Sequence, residues 1–380
     1  MNNVFYIICS FVFLFTGALQ FIGLSITIFS YTLIMMILCI LISYFLIRRH
    51  VTINSYVIIN LCLLLWIVIS GIVNQTNILL ILNYFSYSII PLSVYFFVRS
   101  LNLNSINLSF AINILVLIQL PVLCVQYFFP EYIIYSQKFI NPIDRLFGTF
   151  PLSADHFLSF FLIMNILYVG LKASSLTLVN YFIIIYSIVC ISLTNSTTSY
   201  LLLAATLLYI FFIRSSLYLR IYSIFISIIF LVFLYFNIYE VFSLLNKPEL
   251  LEMTNTKHIA QGSAGRIQTF FYILTNKLSI FGNGPSSYFN PLKSGFQLNL
   301  NFSQLLWFYY DLGVMGVVLL ISLIYSFLVS FSFSNHLRVY LFFLIFAYSF
   351  SSTIFDQLSF LLILNIFVSI LAQRTLNINK

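Results

Sequence analysis

Residues 55–73 read SYVIINLCLLLWIVISGIV and contain no charged side chain. As a helix, a segment of this length crosses a hydrocarbon core about 30 Å thick. Similar apolar runs recur along the whole 380-residue chain, in which 62% of the residues are hydrophobic and only 6% are charged. A chain with so few polar residues cannot cover the surface of a water-soluble globule. The sequence therefore predicts an integral membrane protein.

The apolar runs predict an all-α fold, a polytopic bundle of about twelve transmembrane helices that forms a single domain over residues 1–380. The strict apolar and polar alternation of an outer-membrane barrel is missing from the sequence. We interpret the first run, 4–47, as two spanning helices and not as a removable signal, because it lacks a basic leading segment. The predicted spans are 4–22, 25–47, 55–73, 78–98, 109–128, 156–171, 174–193, 199–213, 221–238, 310–333, 339–354 and 357–372.

Charged residues are distributed unevenly over the segments between these spans. If the N-terminus is cytoplasmic, the inner segments contain nine of the 16 Lys and Arg residues and none of the eight Asp and Glu residues. By the positive-inside rule, this asymmetry predicts that both termini lie in the cytoplasm. Membrane topology thus explains the net charge of +8, and we expect no nucleic-acid partner.

Two of the outer segments, 129–155 and 239–309, are longer than the other connections, which indicates that the protein functions on its outer face. The second contains a predicted amphipathic helix, 264–279, because Arg266 and Lys277 fall on one side of a helical pattern. Arg266 favours contact with an anionic ligand, since a guanidinium group can bind two phosphate oxygens. Lys277 either does the same or anchors the helix to lipid head groups.

The sequence lacks the phosphate-binding motifs GxxxxGK[ST] and GxGxxG and the zinc-binding motif HExxH. Its five cysteines fall inside predicted spans without the spacing of a metal site, so we interpret them as small apolar residues. We therefore expect neither a metal nor another cofactor, and no ATP-driven transport within this chain.

Four stretches, which belong to three patterns, resemble motifs of one family, the bacterial O-antigen polymerases and O-antigen ligases. GRIQTFFYILTNKLSIFGNGPSSYF, residues 265–289, is similar to the family pattern in which an arginine opens an external helix and a Gly-x-Gly turn closes it. The next span begins within NLNFSQLLWFYYDLGVMGVVLL, residues 299–320, whose Gly-x-x-Gly also fits, although Phe and Ser stand where the family has His-Asn. RLFGTFPLSADHF, residues 145–157, resembles the family's Arg-x-x-Gly-x-Phe element. In LTNSTTSYLLLAA, residues 193–205, a threonine replaces the arginine of a third, weaker pattern.

The resemblance implies a metal-independent glycosyltransferase of the bacterial inner membrane with its active face in the periplasm. Such an enzyme transfers a glycan from undecaprenyl pyrophosphate to a sugar hydroxyl, so the implied partners are an undecaprenyl-pyrophosphate-linked oligosaccharide and the lipid bilayer. A chain-length regulator protein is a further partner that the sequence leaves open. We favour an O-antigen polymerase. The alternatives are an O-antigen ligase that moves the polymer to the lipid A core and, from another class, a lipid-linked oligosaccharide flippase or transporter.

The expected site residues lie in the outer segments or at the outer ends of spans. Cations would stabilise the leaving pyrophosphate, and an ionisable group at the edge of the hydrocarbon is a functional candidate by default. The catalytic candidates are Arg145, Arg266, Asp311 and His258, and the substrate-binding candidates are Lys277, Gly282, Gly284, His156 and Tyr309.

Each of these candidates has a structural alternative. Asp311, and likewise Asp356, can be an exposed carboxylate at the interface level. His156 with Asp155 can cap a helix. Tyr309 can belong to the aromatic belt that lines membrane interfaces, because tyrosine is common there.

Overall fold

The computed structural model describes residues 2–17, 33–38, 40–41, 53–101, 108–129, 146–151, 155–172, 177–194, 196–216, 219, 279–289 and 303–378. Within them, all long regular elements are helices. They are α1 (Asn2–Ser10, continued by a π-helical turn at Phe11–Phe15), α2 (Ser55–Val73), α3 (Ile78–Tyr84), α4 (Ser86–Arg99), α5 (Leu108–Phe128), α6 (Asp155–Lys172), α7 (Leu178–Leu193), α8 (Thr197–Arg214), α9 (Gln304–Val329), α10 (Asn335–Ser351) and α11 (Leu358–Ile378). The prediction of an all-helical fold is confirmed.

Four helical segments are long and apolar enough to cross a membrane. They are Ser55–Val73, Ile78–Arg99, Leu108–Phe128 and Gln304–Val329, of which the second joins α3 and α4. Shorter apolar helices pack beside them. These helices fit the predicted membrane bundle, whereas the number of twelve spans stays a prediction. The predicted span 221–238 and most of 25–47 lie outside the described residues.

Helix α9 begins before the position that hydropathy predicts. The apolar pattern predicts a span over 310–333, whereas the helix runs from Gln304 to Val329. Its early start has a local cause: the Ser303 hydroxyl caps it by accepting the Leu306 N–H at 3.3 Å. The Gln304 N–H also donates to the Ser352 carbonyl at 3.2 Å. The last residues of the predicted external segment 239–309 therefore belong to a helix.

Helices α2 and α9 pack against each other and run antiparallel, and their two ends define two distinct ends of the bundle. Near the end of α2 and the start of α9, the Ser70 hydroxyl donates to the Asp311 carbonyl at 3.2 Å. At their opposite ends, the rings of Tyr56 and Phe327 lie 5.4 Å apart.

The described charges are segregated between these two ends. We call the end with the start of α9 the acidic end, because it contains the described carboxylates, Asp155, Asp311 and Asp356. The start of α6 lies there too, since Phe157 of α6 contacts Phe360 at the start of α11 with ring centroids 6.0 Å apart.

The opposite end, which we call the basic end, contains Arg99, Arg214 and Arg338. The Arg99 guanidinium donates to the carbonyl of Ser330, just after α9. Arg214 at the end of α8 donates to the Gly170 carbonyl near the end of α6 at 2.6 Å. Which end faces the cytoplasm stays a prediction of the positive-inside rule.

Candidate functional site

The glycine-rich turn of residues 279–289 is built into a break in helix α9. The break is at Gly313, whose backbone has φ 72° and ψ −164° within the helix. Because α9 is interrupted there, its backbone groups pair with the turn instead. The Val314 N–H donates to the Ser279 carbonyl at 3.0 Å, and the Asn283 N–H donates to the Tyr310 carbonyl at 2.9 Å.

Two glycines make this close approach possible. A Cβ on Gly313 would lie 2.3 Å from the Ile280 carbonyl oxygen, and one on Gly282 would lie 2.3 Å from the Asp311 carbonyl oxygen. Both glycines have a positive φ, which other residues adopt at a cost. The Gly284 N–H donates to the Asp311 carbonyl at 3.0 Å. The backbone of the turn is thus fastened to α9 over most of its length.

The side chain of Asp311 fastens the rest of the same segment. It is fully buried, and its two carboxylate oxygens accept different backbone N–H groups, from Ser286 at 3.1 Å and from Tyr288 at 2.7 Å. A buried carboxylate is costly unless hydrogen bonds replace its hydration. Here the two backbone N–H groups replace the hydration of Asp311. The same hydrogen bonds hold the short 3-10 turn Ser287–Phe289 in place.

Helix α2 covers the other side of the break. The Ser70 hydroxyl donates to the Phe281 carbonyl at 2.7 Å, and the Trp66 indole N–H donates to the Leu312 carbonyl at 2.9 Å. The Trp66 ring also stacks on Phe281, with ring centroids 5.2 Å apart. Trp66 thus pairs a carbonyl that the interrupted helix leaves without its usual partner, and Ser70 pairs a carbonyl of the turn.

Aromatic rings surround the Asp311 carboxylate. Tyr288 contacts Tyr310 and Trp307, with centroids 5.7 and 5.8 Å apart. Tyr84 of α3 lies close enough to interact electrostatically with Asp311. Tyr309, a predicted substrate-binding residue, is half-buried, and its hydroxyl has no hydrogen-bond partner among the described residues.

The second segment with a family-like motif, residues 146–151, also inserts between helices. Two glutamines of α5 hold it. The Gln126 amide donates to the Gly148 carbonyl at 2.8 Å and accepts the Gly148 N–H at 2.9 Å. The Gln119 amide accepts the Thr149 N–H at 3.0 Å and donates to the Thr149 hydroxyl at 2.9 Å. The Gly17 N–H adds a bond to the Thr149 carbonyl at 3.0 Å.

A third polar cluster joins the starts of α6 and α8. His156 Nδ1 lies 3.1 Å from the Ser196 hydroxyl and 3.7 Å from an Asp155 carboxylate oxygen. Ser196 is the N-cap of α8 and also contacts the Ser199 hydroxyl at 2.9 Å. The structure thereby brings together the second and the third of the family-like motifs. Both contacts use the same ring nitrogen, so the cluster does not form a relay of the Ser-His-Asp type.

The turn between α10 and α11 supplies the third carboxylate, Asp356. The fully buried Gln304 side chain supports this turn by accepting the N–H groups of Ile354 at 3.2 Å and Phe355 at 3.4 Å. Burial raises the pKa of Asp356 to about 6, while hydrogen bonds, including one from Gln357 at 3.2 Å, lower it in part. This carboxyl therefore changes its charge close to neutral pH.

The structure brings only some of the predicted site residues together. Gly282, Gly284 and Asp311 form one unit, Tyr309 lies on the same helix as Asp311, and His156 belongs to a separate cluster at the same end of the bundle. The remaining candidates lie outside the described residues, and their roles stay predictions: Arg145, His258, Arg266 and Lys277.

Sequence reasoning did not identify the polar side chains that hold the two inserted segments. These are Ser70 and Trp66 of α2 and Gln119 and Gln126 of α5. The two glutamines are seven positions apart, which places them on one face of a helix. Amides repeated at that spacing in an apolar helix indicate a polar partner, because polar groups in membrane helices need one.

Comparison with known protein families finds no family that matches this chain, and comparison with curated proteins finds no significant match.

Proposed function

We propose that this protein is a membrane glycosyltransferase that polymerises a surface polysaccharide from lipid-linked repeat units. One observation carries the proposal. The two segments with the main family-like motifs both insert between helices, and both enter at the end of the bundle that has the described carboxylates. Non-helical backbone at membrane depth is tolerated where protein surrounds it or where it lines a cavity, as at the binding sites of membrane proteins.

In the proposed reaction, a sugar hydroxyl attacks the anomeric carbon of a glycan carried on undecaprenyl pyrophosphate. The bond between that carbon and the phosphate oxygen breaks, and the lipid pyrophosphate leaves with its negative charge. Arg145 directly precedes one inserted segment in the sequence, and Arg266 and Lys277 precede the other. Cations in these positions would stabilise the leaving group, and a carboxylate at the acidic end would take the proton of the hydroxyl.

The bilayer is the expected surrounding of the bundle, because large apolar side chains are exposed on its outside. Examples are Leu178, Leu201 and Val339, which are each at least two-thirds exposed. A lipid-linked donor could reach the acidic end laterally from such a bilayer. A chain-length regulator is a further proposed partner, which would act through the external segments.

Deletion of the gene in the producing organism tests the function. A polymerase defect leaves single repeat units on the core lipid, which appear as one band on a gel in place of a ladder. Loss of ligase activity instead leaves finished polymer on the carrier lipid. Loss of a flippase leaves unpolymerised repeat units on the cytoplasmic face. An unchanged ladder in the deleted strain would refute all three activities.

Replacement of Arg266 tests the pyrophosphate role. Arg266→Ala is expected to abolish the ladder, and Arg266→Lys to restore it only in part, since lysine cannot bind two phosphate oxygens through one planar group. Arg338→Lys at the basic end is the matched control and should leave the ladder unchanged. A normal ladder from Arg266→Ala at normal abundance would contradict the assignment.

A further inference from the structure

Two buried polar atoms beside the α10–α11 turn have no hydrogen-bond partner within the described part of the chain. They are one carboxylate oxygen of Asp356, Oδ1, and the amide nitrogen of Gln304, Nε2. Each unpaired buried polar group costs about 1–3 kcal/mol. Two such groups on neighbouring segments therefore indicate a site that is complete only when something polar binds there.

The backbone of the α10–α11 turn connects the two residues that carry these atoms. Oε1 of Gln304 accepts the N–H groups of Ile354 and Phe355, so the amide lies directly against the turn that ends in Asp356. With its oxygen fixed in this way, the amide nitrogen remains as a donor. On Asp356, Oδ2 is occupied by the Gln357 amide at 3.2 Å, and Oδ1 remains as an acceptor.

Tyr84 approaches the same region from α3. Its hydroxyl forms a hydrogen bond with the Asp311 carboxyl and interacts electrostatically with Asp356. The Tyr84 ring is held by Tyr87, with centroids 4.7 Å apart, and by Phe308 of α9, with centroids 5.9 Å apart. The site thus offers one open acceptor, one open amide donor and, beside them, the Tyr84 hydroxyl, which can both donate and accept.

This combination matches the hydroxyl groups of a sugar. A sugar hydroxyl donates one hydrogen bond and accepts others, so it can pair with a carboxylate and an amide at once. Asp311 cannot serve in this way, because both of its oxygens already accept backbone N–H groups. Asp356 is partly exposed as a residue, so a ligand can reach its edge from outside the bundle.

We propose that Asp356, Gln304 and Tyr84 bind the acceptor sugar and that Asp356 is the catalytic base of the transfer. This inference rests on the proposed function. In the step, Asp356 Oδ1 takes the proton of the attacking hydroxyl while the oxygen forms its bond to the anomeric carbon. The carbon–phosphate oxygen bond breaks at the same time, and the lipid pyrophosphate departs with the electron pair. Gln304 and Tyr84 orient the attacking sugar.

The pKa of Asp356 agrees with this role. At about 6, the carboxyl is ionised at neutral pH and more basic than an ordinary aspartate. A general base works best when its pKa is close to the working pH. The titratable groups that the described residues place near it are Tyr84 on α3 and, beyond Tyr84, Asp311 on α9.

The test uses membranes of the deleted strain that contain the full-length wild-type chain or a variant, together with the lipid-linked repeat units that the strain accumulates. The rate of polymer formation is measured from pH 5 to pH 8. We expect the wild-type rate to rise through pH 6 and then to level off.

Polymer formation by Asp356→Asn should be at least about 100-fold slower, because general-base catalysis contributes a factor in this range, and its rate should no longer depend on pH in this way. Gln304→Leu and Tyr84→Phe should require more acceptor for half-maximal rate.

Asn113→Leu is the matched control, because Asn113 also has an unpaired buried oxygen but stands alone on α5. It should leave the rate unchanged. If Asp356→Asn does not accumulate in the membrane, Asp356→Glu decides, since it keeps a carboxyl and should shift the midpoint of the pH profile. A wild-type rate in Asp356→Asn, or an unshifted midpoint in Asp356→Glu, would overturn the inference. If the wild-type chain itself forms no polymer, the proposed function fails instead.

Discussion

The two inserted segments, 146–151 and 279–289, both need hydrogen-bond partners for their backbone, and they obtain these partners from different groups. Backbone N–H and C=O groups inside a membrane protein must be paired, because no water is present to pair them. Segment 146–151 is held by the neutral amides of Gln119 and Gln126, which each donate and accept. Segment 279–289 is held by the interrupted backbone of α9 and by the carboxyl side chain of Asp311.

The two segments differ in how far their position depends on individual residues. An amide side chain can be replaced or re-oriented without changing the course of its helix. The position of segment 279–289, in contrast, depends on three features together. These are the helix break at Gly313, a turn that can approach this break closely, and a carboxyl group placed so that it accepts the N–H groups of the turn. We therefore expect substitutions around Asp311 to have larger effects than substitutions around the two glutamines.

Gly313→Ala is expected to have the largest effect. The new Cβ would lie 2.3 Å from the backbone oxygens of Ser279 and Ile280, and alanine would have to adopt a φ of 72°. Neither the backbone contact nor the φ can relax locally, so we expect a loss of about 4 kcal/mol or more and little folded protein. The measurement is the yield and thermal unfolding of the protein purified in detergent.

Gly71→Ala on α2 is the control for that experiment. Its Cβ would also be close to a neighbour, at 2.4 Å from the δ carbon and 2.7 Å from a γ carbon of Ile81, but these atoms belong to a side chain that can rotate, not to the backbone. We expect a nearly normal yield. Equal yields from Gly313→Ala and Gly71→Ala would show that the break in α9 is not essential to the fold.

Asp311→Ala is expected to rank second. It leaves the N–H groups of Ser286 and Tyr288 buried without an acceptor, which costs about 2–6 kcal/mol at 1–3 kcal/mol for each group. Asp311→Asn should recover part of this loss, because its one oxygen can accept one of the two N–H groups. Thermal unfolding in detergent measures the stability of both variants.

Asp356→Asn is the control. Asp356 accepts a hydrogen bond from the Gln357 side chain, and its other oxygen accepts none from the backbone of a neighbouring segment. A larger loss from Asp356→Asn than from Asp311→Ala would contradict the proposed fastening.

Gln119→Leu and Gln126→Leu should each have a smaller effect, of about 1–3 kcal/mol. Each removes the partner of one backbone N–H while leaving the other glutamine in place. Asn113→Leu on the same helix makes the same kind of polar to apolar change where the side-chain oxygen has no partner, so it should be neutral or stabilising. If all three variants unfold at the same temperature, the glutamines do not hold segment 146–151.

The sequence predicted most of the described helices well, because length and hydropathy decide where an apolar helix fits a membrane. The predicted span 55–73 coincides with Ser55–Val73, and 109–128 differs from Leu108–Phe128 by one residue. The start of α9 was missed because it depends on the cap at Ser303 and on the contact of Gln304 with Ser352. Neither contact leaves a signal in hydropathy.

The candidate site was predicted in part. The glycine turn and Asp311 were identified, because glycine pairs and ionisable groups stand out in an apolar chain. Their connection was not, since it depends on the positive φ of Gly313 in the middle of an apolar run. Gln304 was missed because one amide at the start of a helix looks ordinary until the turn that it holds is known.

The last prediction concerns Asp356, whose carboxyl accepts hydrogen bonds from the side chains of Gln357, at 3.2 Å, and Thr353. Its pKa is raised by burial from an ordinary value of 3.8 to about 6. Between these two values the folded protein binds the proton more tightly than the unfolded chain does, so this group's contribution to stability falls as the pH rises from about 4 to about 6. Asp356→Asn removes this contribution, so the melting temperature of the variant minus that of the wild type should rise with pH in that window. The difference in melting temperature between the two proteins, measured by thermal unfolding in detergent at pH 4 to 7, isolates Asp356 from the other carboxylates.

A constant difference over this range would mean that Asp356 has the same pKa in the folded protein as in the unfolded chain. Asp356 would then be well solvated in the folded protein, and it would not need backbone donors of the kind that Asp311 has.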